Sequence, residues 1–193
     1  MNQSQDVILS AVRDFANQAH GDQRRRYTND PYIVHPVRVM ETCRAHTQDT
    51  ATLCAALLHD VLEDTPVREG AIRECLETLM PEVEVARALQ IVVELTDVYT
   101  HENQPRMKRT ERRAREAERL GTVSADAQTV KYADIIDNTV DLTQNDPDFA
   151  PVYIRECQAI LNVADKGNAD LYRRALDMLQ KYMTQFSSDH RKY

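Results

Sequence analysis

Residues 51–64 (ATLCAALLHDVLED) constrain this chain more than any other stretch. A helical apolar run ends in His59, Asp60, Glu63 and Asp64, four ionisable side chains within six positions. At helical spacing the apolar residues bury one side of the segment, and the other side gathers the polar four. A polar cluster beside so hydrophobic a run is costly unless something satisfies it. Two readings are open. Adjacent His and Asp can supply nitrogen and oxygen to one divalent cation, with Glu63 and Asp64 one turn later, in reach of a substrate. Alternatively, the segment is a capped helix end with a solvent-facing acidic tail. A single His-Asp pair is common, so a metal site requires further ligands elsewhere.

The remainder reads as helices joined by short loops. Val7, Ile8, Ala11, Val12 and Phe15 recur at helical spacing up to Gly21, with Ser4 or Asp6 as cap. Residues 22–36 form a polar loop punctuated by Pro31 and Pro36. The next helix buries Val37 and Met40. Thr50 is the expected cap of the central helix, which should run to about Glu63. Thr65 and Pro66 pattern as cap and first helical residue of the following one. Pro81 opens another, with Val85, Leu89 and Val92 on its buried side. Residues 106–119 carry seven basic and three acidic side chains, an exposed helix supported by the pairs Glu111–Arg115 and Arg112–Glu116. Residues 123–142 carry Lys131, Asp134, Asn138 and Asp141 at steps of three, four and three, one polar stripe. Ile154, Cys157 and Leu161 mark a further helix, and Leu176, Leu179 and Met183 a last one. No strand shows clear alternation. The four glycines all fall near inferred helix ends or turns. The expectation is an all-α fold, a single domain of about eight helices. Its motif-bearing part is 21–142, and helices within 147–186 pack on it.

Hydrophobic residues make up 42% of the 193, too many for a disordered chain. A net charge of −7 argues against a DNA or RNA polymer as partner, because phosphate backbones select basic surfaces. A small anionic ligand held by a local basic patch or a metal is compatible with it. The cysteines Cys43, Cys54, Cys75 and Cys157 are far apart in sequence and read as reduced thiols of a cytoplasmic protein. The opening residues 1–6 lack a basic and then apolar leader pattern, and no stretch is long and apolar enough to span a bilayer. A homo-oligomer is left open.

His35 ends the loop, His59 and Asp60 sit on the central helix, and Asp134 faces inward on a later one. This two-nitrogen, two-oxygen set suits manganese, iron or another divalent transition ion better than calcium, and it lacks the thiolates of structural zinc. Spacing alone does not establish that the four converge; the competing reading is a hydrogen-bonded polar core.

The chain resembles the HD-domain phosphohydrolases, and within them the hydrolase domain of the RelA/SpoT-type alarmone enzymes and the stand-alone small alarmone hydrolases. The segments that carry the resemblance are residues 24–36 (RRRYTNDPYIVHP), 56–65 (ALLHDVLEDT) and 131–138, in the family's order. The resemblance implies one divalent metal, Mn2+ first and Fe2+, Co2+, Zn2+ or Mg2+ as alternatives, on His35, His59, Asp60 and Asp134. It implies that Glu63 and Asp64 shape the attack of water. Either carboxylate can orient that water or accept its proton; the expectation is Glu63 for the proton and Asp64 for orientation or bracing. The resemblance also implies that Arg24 braces the site or meets the nucleotide, and it maps the family's asparagine onto Asn138. The reaction implied is removal of pyrophosphate from the 3′ position of guanosine tetra- or pentaphosphate. The alarmone enzymes carry arginine after the second aspartate and again after the asparagine; this chain has Ile135 and Val140 there. Asp137 and residues 94–97 depart as well.

Arg25 and Lys131 suit phosphate contacts, since basic side chains match its oxygens, although Arg25 is equally a surface residue and Lys131 a partner for Asp134 or Asp141. Tyr32 can stack on a base or simply pack. Asn138 can bind substrate or brace its own helix. His20, His46, His101 and His190 are assigned no chemistry. Besides the metal-dependent phosphohydrolase, two functions compete: hydrolysis of a different nucleotide, and a non-catalytic nucleotide-sensing domain.

Overall fold

The computed structural model describes residues 4–189, with side chains through residue 185. The described residues are all-α, with one isolated backbone bridge between Arg24 and Pro31. They fall into two compact units that divide between Thr96 and Asp97. The first carries α1 (Gln5–His20), α2 (Val34–Arg44), α3 (Thr50–Leu58), α4 (Val61–Asp64), α5 (Glu69–Glu77) and α6 (Glu82–Leu95). The second carries α7 (Arg109–Leu120), α8 (Ala125–Asn145), α9 (Ala150–Leu161) and α10 (Ala169–Asp189). The expectations for residues 1–3 and His190 lie outside the described residues.

In the first unit α3 is the axis. Ala51 to His59 are all buried, because α1, α2 and α6 pack around α3. A helix apolar on every side belongs inside, so the expected one-sided burial is corrected to burial all round. The expected single helix to Glu63 also breaks, at Leu58. There the His59 Nδ1–H donates to the Ala56 carbonyl at 2.8 Å, the acceptor that a continuing helix would offer to the Asp60 amide. His59 and Asp60 thereby sit in the bend between α3 and α4.

The caps differ from expectation in two places. Asp49, not Thr50, caps α3: its Oδ2 accepts from the Thr52 amide at 2.9 Å and the Thr52 hydroxyl at 2.7 Å. Asp49 also receives the Arg87 guanidinium at 3.0 and 3.2 Å. Thr65 does not start α5. Its hydroxyl donates to the Val61 carbonyl at 2.7 Å and so closes α4, leaving Pro66 outside any helix.

Burial pushes the Asp49 carboxyl up, but the hydrogen bonds from Thr52 and Arg87 outweigh it and hold the group below the usual range. The stability it contributes is therefore fully present above the unfolded carboxylate value. It is lost as pH falls through the lower folded value. Asp49→Ala should cost about 1–2 kcal/mol at neutral pH. Urea titrations of both proteins as a function of pH should show this difference shrinking into the acid range.

In the second unit α9 and α10 pack on α8, and α7 packs on α9. Tyr132, Ile135, Ile136, Ile154, Leu161 and Leu171 are among the buried side chains of its core. The Tyr132 hydroxyl donates to the Ala164 carbonyl at 2.8 Å and accepts from the Gly167 amide at 3.2 Å. The Asn168 side chain then accepts from the Asp170 and Leu171 amides at 3.0 and 3.1 Å, capping α10. Of the two pairs expected on α7, Glu111–Arg115 forms at 3.3 Å. Glu116 instead is buried, accepting from the Val98 and Tyr99 amides at 3.1 and 3.0 Å and from Arg119 Nε at 2.7 Å.

The four cysteines are free thiols, and burial pushes Cys54 and Cys157 up to about 12. Among the described residues no helix is long and apolar enough to cross a membrane.

Candidate functional site

The first unit gathers Tyr32, His35, His59 and Asp60. The turn before α2 places Tyr32, and the first turn of α2 places His35, which is 1% exposed. The α3–α4 bend supplies the other two. Asp60 Oδ2 is the point on which they converge, 3.2 Å from His59 Nε2 and 3.5 Å from His35 Nε2. The Tyr32 hydroxyl donates to the same oxygen at 2.7 Å. The two imidazoles meet edge to face with centroids 5.1 Å apart.

This geometry fits a cation. With its Nδ1–H donated to the Ala56 carbonyl, His59 in its neutral form turns a lone pair on Nε2 toward the Asp60 carboxylate. Two electron-rich atoms at that separation repel unless positive charge lies with them. The backbone bond to the far nitrogen is the arrangement that fixes tautomer and ring angle in a ligating histidine. Burial, with the charges of Asp60 and Asp64 beside it, pushes the Tyr32 phenol well above its ordinary value. It stays protonated and acts on Asp60 as a donor.

The other sequence-selected residues of this unit lie around the cluster. Arg25 is half-buried, its guanidinium 5.7 Å from the Tyr32 ring centroid. Arg24 is exposed on the Arg24–Pro31 bridge. Asn29, at φ 59°, turns the chain back inside this loop. Glu63 and Asp64 are exposed on α4, and Asp64 Oδ2 accepts from Gln23 Nε2 at 3.4 Å.

In the second unit, Asp134 is 6% exposed, and both of its carboxylate oxygens are held. Lys131 Nζ donates to one at 2.8 Å, and Asn138 Nδ2 to the other at 2.6 Å. The three-and-four spacing along α8 stacks these side chains on one face. Burial, with the Cys157 thiol and the Asp134 charge nearby, pushes the Tyr153 phenol well up. Ile135, where the alarmone enzymes carry arginine, is 1% exposed and packs in the core of this unit. Position 135 therefore supplies apolar packing here.

Sequence reasoning passed over His20 and Gln23. His20 is 6% exposed, with its ring 4.4 Å from that of Tyr32 and its Nδ1 2.9 Å from Gln23 Oε1. No period or motif signals a histidine at a helix end that pairs with a glutamine three residues on.

The family model described as HD domain matches residues 12–163. The mouse guanosine-3′,5′-bis(diphosphate) 3′-pyrophosphohydrolase MESH1 is 34% identical over 150 residues, covering 75% of this chain and 74% of that protein. The human protein of the same name is 34% identical over 151 residues, covering 75% of both. A pyrophosphohydrolase of Aquifex aeolicus is 44% identical over 66 residues, but this match spans only 9% of its length. Among solved structures, a metazoan orthologue of SpoT that hydrolyses ppGpp superposes with a TM-score of 0.75. The superposition covers 90% of this chain and 94% of that one, at 24% identity. By the family match and by the extent and identity of the MESH1 alignments, the chain belongs to the HD-domain family and is homologous to the RelA/SpoT-type alarmone hydrolases.

Proposed function

We propose that this HD-domain phosphohydrolase removes pyrophosphate from the 3′ position of guanosine tetra- or pentaphosphate, using one Mn2+ held by His35, His59, Asp60 and Asp134. The observation that carries the reading is the convergence of two imidazole nitrogens and a tyrosine-held carboxylate on one point in the first unit. His35, His59 and Asp134 are each buried and each offer one ligand atom to a cation. MESH1, matched over three quarters of its length, carries the name of this reaction. When bound, the cation supplies Lewis acidity and neutralises charge on the phosphoryl group.

The chain's own residues do the rest. Glu63 accepts the proton of the attacking water, and Asp64 orients that water. Lys131 and Asn138 keep the Asp134 carboxylate aimed; Lys131 also offsets its charge and meets the pyrophosphate of the substrate, beside which Asn138 lies. Arg24 and Arg25 bind phosphate oxygens with planar forked donors. Tyr32 holds Asp60 with its hydroxyl and offers its ring for stacking on the nucleotide base. The grip on the base cannot use position 135, which is apolar and buried, so it falls to the loop of residues 24–32. That departure from the alarmone enzymes favours testing a different nucleotide as the second reading.

One panel tests both. The protein is dialysed against chelator and reloaded with Mn2+, and then guanosine tetraphosphate is set against common nucleotides for released pyrophosphate or phosphate. Metal-restored release of pyrophosphate from the alarmone supports the proposal. Release from another nucleotide alone transfers it to that substrate, and binding without turnover across the panel leaves a sensor.

Tyr32→Phe keeps the ring and deletes the hydroxyl. It is expected to weaken Mn2+ affinity by roughly 10–100-fold, the usual cost of losing a group that orients a ligand, with the melting temperature little changed. Titration with Mn2+ followed by calorimetry checks it.

A further inference from the structure

The buried His20 ring is not used by the mechanism above, although it lies one residue-layer from the reacting groups. Its Nδ1 faces Gln23 Oε1 at 2.9 Å, and Gln23 Nε2 faces Asp64 Oδ2 at 3.4 Å. The carboxylate can only accept, so the amide nitrogen must point to Asp64 and the amide oxygen to His20. In the neutral form of the ring the proton is then on Nδ1. Nε2 is left as a buried nitrogen with no hydrogen-bond partner among the described residues. A phenyl ring would stack on Tyr32 equally well without stranding a polar atom there. What the histidine adds is the Nδ1–H alone.

We infer that His20 is a positioning residue of the hydrolase: its Nδ1–H fixes the Gln23 amide, and the amide fixes the Asp64 carboxylate in the direction that orients the attacking water. This rests on the role proposed for Asp64. The backbone makes the chain of contacts stiff, since the Gln23 amide donates to the His20 carbonyl at 3.0 Å and the Tyr32 amide donates to the Gln23 carbonyl at 3.0 Å. His20, Gln23 and Tyr32 therefore move together, and Tyr32 ties the group to Asp60. Without the relay, Asp64 is an exposed carboxylate on the short α4, free to swing among rotamers while the metal ligands stay in place.

The test compares His20→Phe, His20→Asn, Gln23→Ala and the double variant His20→Phe/Gln23→Ala in the Mn2+-loaded protein. Asparagine places an N–H where Nδ1 stood; phenylalanine keeps only the stacking. His20→Phe and Gln23→Ala should each lower kcat by about tenfold, a displacement effect on a reacting geometry, with KM and Mn2+ affinity held. The double variant should be no slower than either single one, because the two residues act in series. His20→Asn should recover most of the lost rate. Independently of turnover, long-range proton–nitrogen spectra at neutral pH should show His20 as the Nδ1–H tautomer in the unaltered protein, and the signature should be lost in Gln23→Ala. The inference is overturned by wild-type kcat in His20→Phe or Gln23→Ala, by equal losses in His20→Phe and His20→Asn, by multiplying effects in the double variant, or by the Nε2–H tautomer. If His20→Phe does not fold, Gln23→Ala and the spectra decide. Loss of the relay effect in an active protein sinks this inference alone, whereas absence of turnover in the unaltered protein sinks the functional proposal with it.

Discussion

Glu63→Gln is expected to lower kcat by roughly 10²- to 10⁴-fold, the range spanned by a positioned general base. The substitution keeps the shape and hydrogen-bonding reach of the side chain and removes its capacity to hold a proton. Glu63 is exposed at the end of α4, beyond the buried Val61, so the core does not register the change and the melting temperature should shift by no more than a surface substitution does, about 0.5 kcal/mol in stability. Mn2+ affinity should also hold, since Glu63 is not among the proposed ligands. Steady-state rates with saturating Mn2+ decide it. A fall in kcat with KM unchanged assigns Glu63 to the transition state. A rate within a few-fold of wild type would move the proton-accepting role to Asp64 or to the substrate itself.

The second large effect concerns stability. A Cβ at Gly167 would lie 2.5 Å from Tyr132 Cε2, 2.8 Å from the Thr129 amide nitrogen and 3.0 Å from Thr129 Oγ1. None of these can yield cheaply. Tyr132 is fully buried in the core of its unit, and its hydroxyl holds the Ala164 carbonyl and the Gly167 amide. The Thr129 hydroxyl accepts from the Asn168 amide at 2.9 Å. Gly167→Ala should therefore cost about 3 kcal/mol, the upper range for an overpacked contact, and lower Tm by roughly 6–12 °C for a chain of this size. By contrast Gly70→Ala, where an added Cβ meets nothing within 4 Å, should be neutral or mildly stabilising because it sits in α5. Thermal denaturation of the two variants side by side makes the contrast. Equal melting temperatures would mean that the loop can move off α8.

What the sequence disclosed and what it withheld follow from the same physics. The helices were legible because apolar spacing of three and four is imposed by core burial, as with Ile154, Cys157 and Leu161 on α9. The family was legible because residues 24–36, 56–65 and 131–138 each bring several chemically rare side chains together in order. The helix break at Leu58 was not legible, since it depends on the His59 ring competing for the Ala56 carbonyl, a choice made by three-dimensional packing. The cap of α3 went to Asp49 over Thr50 because Arg87, thirty-eight residues away, also reaches that carboxylate. Glu116 read as a solvated member of a charged helix, and a helical pattern cannot show that the Val98 and Tyr99 amides need its oxygens. His20 was invisible for the same reason: its meaning lies in Gln23 and Tyr32, not in any spacing. Side chains whose partners are distant in sequence are the ones local pattern cannot assign.

The proposal that one cation is held by residues from 35 to 134 is tested most directly by metal stoichiometry. Equilibrium dialysis of the chelator-treated protein against Mn2+, read by electron paramagnetic resonance, should give a single tight ion per chain in the unaltered protein. His59→Ala and Asp134→Ala should each lose that ion while retaining helical content. Mn2+ binding by Asp134→Ala equal to that of the unaltered protein, or no tight binding by the unaltered protein at all, would contradict the account.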